Sequence, residues 1–166
     1  DNINFLNTDI FNFPTKKKFD FVYSWGVLHH TGDMWKSIKI SSELVKNEGY
    51  FIIAIYKKTF FCNFWKIIKK LYCKYFFFKI IFSSIYIPLI IILNLIFKRT
   101  LKRDRGMSVY YDAIDWLGGY PYESANIDEI KFFLKGFKLI SVKSNKSPPL
   151  FGLLGSGCPE DTFMKI

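Results

Sequence analysis

Two short apolar runs constrain this chain more than any other feature. Phe19 to Trp25 (F-D-F-V-Y-S-W) and Tyr50 to Tyr56 (Y-F-I-I-A-I-Y) are rich in β-branched and aromatic residues and read as buried strands of a parallel sheet. Between them, M-W-K-S-I-K-I-S-S-E-L-V-K sets Met34, Ile38, Ser41 or Ser42, and Val45 at helical spacing. Thr31 or Asp33 can cap the start of that helix, and Asn47-Glu48-Gly49 is expected to end it, with glycine just past the last turn. A strand, a helix and a second strand in this order form a βαβ crossover, so the class is α/β. Ile3 to Leu6 reads as one more short strand ahead of the pair.

After Tyr56 the pattern becomes helical and basic. Phe60, Phe61, Phe64, Ile67, Ile68 and Leu71 fall on one face, with Lys66, Lys69 and Lys70 largely opposite. The chain then enters Ile80 to Phe97, 18 residues without a charge, flanked by Lys79 and by Lys98-Arg99. Farther on, Ala113, Ile114 and Leu117 can line a short helix that Gly118-Gly119 stops before Pro121. Asn126 or Asp128 begins a helix ending at Gly136, and Phe137 to Lys143 follows as a strand. A Pro-Pro and glycine-rich loop, Pro148 to Gly157, leads to a last strand from Thr162 to Ile166.

The 166 residues, half of them hydrophobic and a fifth aromatic, leave room for one ordinary core and exclude disorder, collagen-like repeats and a disulfide miniprotein. Cys62, Cys73 and Cys158 are odd in number and widely spaced, which favours a reducing compartment and speaks against structural zinc. Of the 24 basic residues 21 are Lys, a bias that AT-rich codons produce. Drift would spread charge evenly. Instead, twelve basic residues and one acid lie between Lys57 and Arg105, so that segment carries +11 while the rest nets −1, for a total of +10.

The stretch Phe19 to His30, F-D-F-V-Y-S-W-G-V-L-H-H, ends where ligands bind in open parallel sheets, beyond the carboxyl ends of the strands. Here the chain resembles the class I S-adenosylmethionine-dependent methyltransferases, a Rossmann-like family. A strand of the form F-D-hydrophobic-V ends in a loop closed by L-H-H, and a helix leads to a K-x-G-G-like turn, K-N-E-G at Lys46 to Gly49. Upstream, N-T-D-I (Asn7 to Ile10) looks like the family's acidic motif after the third strand. Downstream, R-G-M-S-x-x-x-D-x-x-D-W-L-G-G-Y-P-Y-E, Arg105 to Glu123, is similar to a signature of one bacterial branch, where it also follows a basic helical insert. L-H-H alone is short; the ordered set carries the likeness.

The resemblance implies S-adenosyl-L-methionine as cofactor. It places Asp9 at the adenine amino group and Ile10 over the ring, and it lines the pocket with Ser24, Trp25 and Gly26. It also implies the sheet order 3-2-1-4-5-7-6. The family's glycine-rich loop (roughly G-x-G-x-G) and its ribose-holding acid are absent, the first glycine being Gly26. Without the first two strands, the fourth would have an open edge. With Asp rather than Met at position 1, the expectation is a carboxyl-terminal portion of a longer protein. The domains expected are a cofactor-binding core over 1–56, a basic apolar helical insert over 57–105, and the remainder of the core over 106–166.

Each feature has a plainer reading. Asp9 could be a turn residue, and Ser24 and Trp25 could merely finish a strand. His29 and His30, the only histidines, are candidates for a catalytic base or the wall of a substrate pocket; otherwise they start a helix. A metal is not expected, since adjacent histidines seldom face one ion and no Cys/Asp cluster accompanies them. Asp112, Asp115 and Glu123 could hold a cationic substrate, with Trp116 and Tyr120 shaping its pocket, or they form a capped turn that docks the insert. Ile80 to Phe97 approaches a bilayer span in length, could be a buried or dimer-forming helix, or could lie on an anionic membrane surface, as the flanking charge favours. Nucleic acid is disfavoured, because the charge is interleaved with a very apolar helix and Arg is scarce.

The expected function is methyl transfer from S-adenosylmethionine to a small-molecule or lipid-like acceptor, with 57–105 and the D-W-L-G-G-Y-P-Y-E segment as lid. The alternative is a non-catalytic, membrane-associated or oligomerising module on a degenerate core. A nucleotide-dependent oxidoreductase is disfavoured by the missing G-x-G-x-x-G. The expected location is the cytoplasm, at the inner face of the membrane if the insert touches lipid.

Overall fold

The computed structural model describes residues 3–14, 17–97, 108–143 and 149–166. The chain divides into two compact units: an α/β unit of Asp1–Lys57, Ser124–Asn145 and Cys158–Ile166, and a helical unit of Lys58–Glu123 and Lys146–Gly157.

Among the described residues of the α/β unit, four strands make one sheet: β1 (Phe19–Trp25), β2 (Val45–Ala54), β3 (Phe137–Lys143) and β4 (Glu160–Lys165), in the order β1-β2-β4-β3. β1 and β2 run parallel across the crossover helix α1 (Met34–Glu43), whereas β4 pairs antiparallel with both β2 and β3. Read as strands four to seven, this is the 4-5-7-6 half of the order the resemblance implies.

The α1 face turned inward is Met34, Ser37, Ile38, Ser41 and Ser42. Small serines let the helix sit close to the sheet, and the Ser37 hydroxyl is satisfied by donating to the carbonyl of Met34 at 2.8 Å. Asp33 caps α1 by accepting from the Lys36 amide. Phe51, Ile53, Val45 and Phe163 meet Met34, Ile38, Ile130 and Leu134 in the core. α5 (Ile127–Phe133) starts with a reciprocal cap, the Asn126 side chain accepting from the Glu129 amide and the Glu129 carboxylate accepting from the Asn126 amide.

Four expectations for this unit are corrected. Ile3–Leu6 is not a strand; Ile3, Phe5 and Leu6 are exposed, since no neighbouring strand is there to pair with them. The crossover helix ends at Glu43, and Val45 already belongs to β2. Asn47-Glu48-Gly49 is therefore an irregularity inside β2, between the pairs Phe19↔Val45 and Phe21↔Tyr50, with Glu48 left-handed at φ 62. β1 is not a buried strand either. It lies at the sheet edge, with Phe19, Phe21, Tyr23 and Trp25 exposed. The last strand starts two residues early, at Glu160.

The helical unit consists of α2 (Cys62–Lys74), α3 (Phe76–Ile96), α4 (Val109–Gly118) and the segment leading to Gly157. α4 packs on α2 and α3, so residues up to Glu123 belong here and not with the core segment over 106–166 where the sequence boundaries place them. The amphipathic reading of α2 holds for Lys66 and Lys70, which are exposed, and fails for Lys69 and for much of the apolar face. Trp65, Lys69 and Tyr72 are buried, while Phe60, Phe64 and Ile67 are exposed. α3 is not a buried helix: Ile85, Leu89, Ile92 and Ile96 form an exposed stripe, and only Ile87 and Asn94 of its residues are buried. Lys98, Arg99, Lys102, Arg103, Asp104, Arg105, Gly106, Met107 and Pro148 lie outside the described residues.

Candidate functional site

Parallel strands leave their carboxyl ends on one side of a sheet, and loops there are free to hold a ligand. In the α/β unit that end is built by Trp25 and Gly26 after β1 and by Ala54 to Tyr56 after β2. The Gly26 amide donates to the Ala54 carbonyl at 3.1 Å, which ties the two strand ends together. Gly26 has φ 73, a conformation that favours glycine, and a side chain there would meet nothing within 4 Å. The turn thus opens onto space at the strand ends.

From this turn the chain makes one 3-10 turn, Leu28–His30, before α1. His29 is fully buried, with its ring 4.0 Å from that of Tyr56 and 4.3 Å from that of His30. His30 is half-buried and completes the trio, 5.3 Å from Tyr56. The histidine pair is therefore split: His29 packs inside, and His30 is the one with access to solvent. Among the described residues no three His, Cys, Asp or Glu side chains are placed to hold a metal ion.

Asp9 caps a second 3-10 turn, Ile10–Asn12, by accepting from the Phe11 amide at 2.9 Å, and that turn packs against α1. Asp9 is exposed and Ile10 half-buried beside it. Ser24 is half-buried and Trp25 40% exposed. An exposed carboxylate with an adjacent half-sheltered isoleucine, an accessible indole and an open glycine turn fit the adenine side of S-adenosylmethionine. Groups for its ribose and methionine ends are not among them.

Sheet register adds residues that the sequence pattern did not single out. Ser24 is opposite Ile53, which is opposite Asp161; the next row is Trp25, Ala54 and Glu160. The Tyr23 hydroxyl donates to Glu160 at 3.3 Å, across the sheet. Asp161 is 3% exposed, and its Oδ1 has no hydrogen-bond partner. Burial pushes its pKa up to about 6, with Lys131 pulling the other way. Burial, reinforced by Asp161, pushes Cys158 up to about 12. A last strand that starts at Thr162 puts Asp161 in a loop, and the strand pattern marks Tyr56 only as a strand end.

The remaining candidates sit in the helical unit. Asp112 is half-buried in the first turn of α4, where a carboxylate complements the helix N-terminus; Asp115 is exposed, Glu123 half-buried and Tyr120 37% exposed. Trp116 belongs to an aromatic box, with ring centroids 5.2 Å from Trp65 and 6.0 Å from Tyr122. Inside this box is Lys69, fully buried, its ammonium 3.8 Å from the Trp116 ring centroid and 5.1 Å from that of Tyr122, donating to the Trp116 carbonyl. Burial lowers its pKa to about 7. No spacing rule would have found it, because a lysine opposite an apolar helix face reads as solvated.

Comparison with known proteins bears on the α/β unit. Residues 1–53 match a family model described as a methyltransferase domain. No curated protein matches the chain. One solved structure that resembles it is the N-methyltransferase NodS from Bradyrhizobium japonicum WM9 in complex with S-adenosyl-L-homocysteine. The identity is 10% and the TM-score 0.45, with 95% of this chain and 52% of that one covered, so the chain spans about half the length of NodS. Through residues 1–53, which include β1, α1 and most of β2, this chain is similar to a methyltransferase domain.

Proposed function

We propose that the α/β unit supplies the adenine side of an S-adenosylmethionine pocket and that the protein transfers a methyl group to a small-molecule or lipid-like acceptor. One observation carries this reading. The segment that matches the methyltransferase domain ends its two parallel strands at an open glycine turn, with Ser24, Trp25 and Gly26 at the strand end and Asp9 and Ile10 on the turn beside α1. When bound, S-adenosylmethionine supplies a sulfonium methyl group for in-line displacement. Asp9 would accept from the adenine amino group, and Ile10 and Trp25 would shelter the ring from water. His30, with its imidazole partly exposed and its ring plane fixed by His29 and Tyr56, is the candidate to take a proton from an acidic nucleophile. Acceptor recognition by Asp112, Asp115, Trp116, Tyr120 and Glu123 is part of the same proposal.

Titration calorimetry with S-adenosylhomocysteine tests it. Saturable binding is expected, weakened at least about tenfold by Asp9→Ala, the loss of one charge-assisted hydrogen bond. No saturable heat with the protein overturns the reading. That result would favour the second one, a non-catalytic membrane-associated or oligomerising module, which the exposed apolar surface of α3 supports.

A further inference from the structure

We infer that α3, with the exposed apolar edge of α2, docks onto an anionic lipid bilayer with the α3 axis lying in the membrane plane. The inference is independent of methyl transfer and begins with where apolar side chains are. On α3, Ile85, Leu89, Ile92 and Ile96 recur at spacings of four, three and four and are 64%, 42%, 53% and 65% exposed. This is one continuous stripe along the helix. Phe60, Phe64 and Ile67 repeat the pattern on and just ahead of α2. Monomeric soluble proteins rarely leave contiguous apolar surface of this kind to water.

The opposite side of α3 decides between crossing and lying flat. At 21 residues α3 is about 31 Å long, enough to cross the hydrocarbon layer. Its middle, however, is committed to the rest of its unit. Ser83 pairs with the Tyr72 hydroxyl at 3.3 Å, Tyr86 stacks edge-on to Trp65 and donates to the Leu154 carbonyl, and Ile87 and Asn94 are buried. A spanning helix would carry α2, α4 and their lysines and aspartates to mid-bilayer depth, where unpaired charge is very unfavourable. Lying flat keeps those contacts and gives only the outer stripe to lipid.

Charge identifies the surface. From residue 57 to residue 97 there are seven lysines and no acid, and Lys66, Lys70, Lys74 and Lys79 are exposed. A second copy of this chain would bring like charges together around the apolar stripe. An anionic headgroup layer neutralises them while the stripe dips below it.

The test is flotation of the purified chain with vesicles of phosphatidylcholine alone and of phosphatidylcholine mixed equally with phosphatidylglycerol. The chain is expected to float with the mixed vesicles and at least about tenfold less with the neutral ones. Combined Ile85→Glu, Leu89→Glu and Ile92→Glu should abolish flotation while the helical circular dichroism stays unchanged, since all three positions face outward. A second variant leaves the apolar stripe intact: Lys66→Gln, Lys70→Gln, Lys74→Gln and Lys79→Gln together should erase the preference for anionic vesicles. Bound chain should also move to added empty vesicles, as an interfacial helix does and a spanning one does not. The inference is overturned if the wild-type chain sediments with both vesicles, if the glutamate variant floats as well as wild type, or if bound chain never exchanges. S-adenosylhomocysteine plays no part in these readouts, so they succeed or fail separately from the proposed function.

Discussion

The two units treat the same residue types in opposite ways. In the α/β unit Phe51, Ile53 and Ile38 are wholly buried, and lysines such as Lys46 stand outside, paired with Asp20 at 2.9 Å. In the helical unit a lysine is buried along with Trp65, Tyr72 and Leu117, while Phe64, Ile85, Leu89 and Ile92 lie on the outside. The first unit packs an apolar centre between its sheet and α1 and leaves the side chains of its edge strand β1 outside. The second has an interior of aromatic rings around Lys69 and an exterior suited to a non-aqueous neighbour. Apolar patterning thus locates a face without saying which side of it is the interior.

The largest expected effect breaks the comparison at its base. Phe51→Ala in β2 removes a fully buried ring and should destabilise the α/β unit by about 3–5 kcal/mol, whereas Ile92→Ala on the α3 stripe should change stability by less than about 0.5 kcal/mol. Urea unfolding followed by amide exchange, resolved by unit, would measure both. An equal loss at Ile92 would mean that the stripe is already covered by protein.

Lys69 sharpens the contrast next. Its pKa in the folded unit, about 7, is below the ordinary 10.5, so the unfolded chain binds the extra proton between those values and stability should rise with pH across that window. The ring faces and the Trp116 carbonyl favour the ammonium and reduce the gain, to roughly 2 kcal/mol between pH 7 and 10. Lys69→Met should remove this slope and leave stability at pH 7 within about 1 kcal/mol of wild type. Thermal melts at several pH values read it directly.

The α/β unit has a titrating group of the opposite sign. The pKa of Asp161, about 6 in the folded unit against an ordinary 3.8, means that the folded unit holds its proton more tightly. Stability from this group is present below the unfolded value and lost as pH rises through about 6. Asp161→Asn should therefore stabilise the unit at pH 7 by roughly 1 kcal/mol, discounted for screening by Lys131 and solvent, and flatten the profile between pH 4 and 6.

Legibility in the sequence followed the range of each interaction, not the division into units. The spans of β1 and β3 were readable, and Asp33 and Asn126 were each one of two capping candidates, as Ser41 and Ser42 were alternatives for the inward face of α1, because each depends on local spacing and short-range hydrogen bonds. The sheet order came from the resemblance, not from periodicity. Asp161 and Tyr56 were missed because strand register, a long-range property, brings them to the strand ends. Lys69 was missed because only a tertiary contact, Trp116 and Tyr122 closing over it, makes a buried lysine tolerable. The site motif itself was legible as a string. Its split into a buried His29 and an accessible His30 was not, since both positions read alike until Tyr56 is placed.

The smallest expected effect asks where each unit holds its least favourable conformation. In the helical unit two adjacent residues, Leu150 and Phe151, are left-handed at φ 50 and φ 55. In the β2 irregularity of the α/β unit it is Glu48 at φ 62, where a Cβ crowds the following carbonyl. The neighbouring Gly49 meets a different demand, because a Cβ there would lie 3.0 Å from the Asp20 and Lys46 carbonyl oxygens. Glycine at 48 would relieve the left-handed strain but add freedom to the unfolded chain, so the two terms partly cancel. Glu48→Gly should therefore stabilise the unit by no more than about 0.5 kcal/mol, seen as a small upward shift in the urea midpoint at unchanged slope. A loss of stability would show instead that the Glu48 side chain, not the turn geometry, anchors the start of β2.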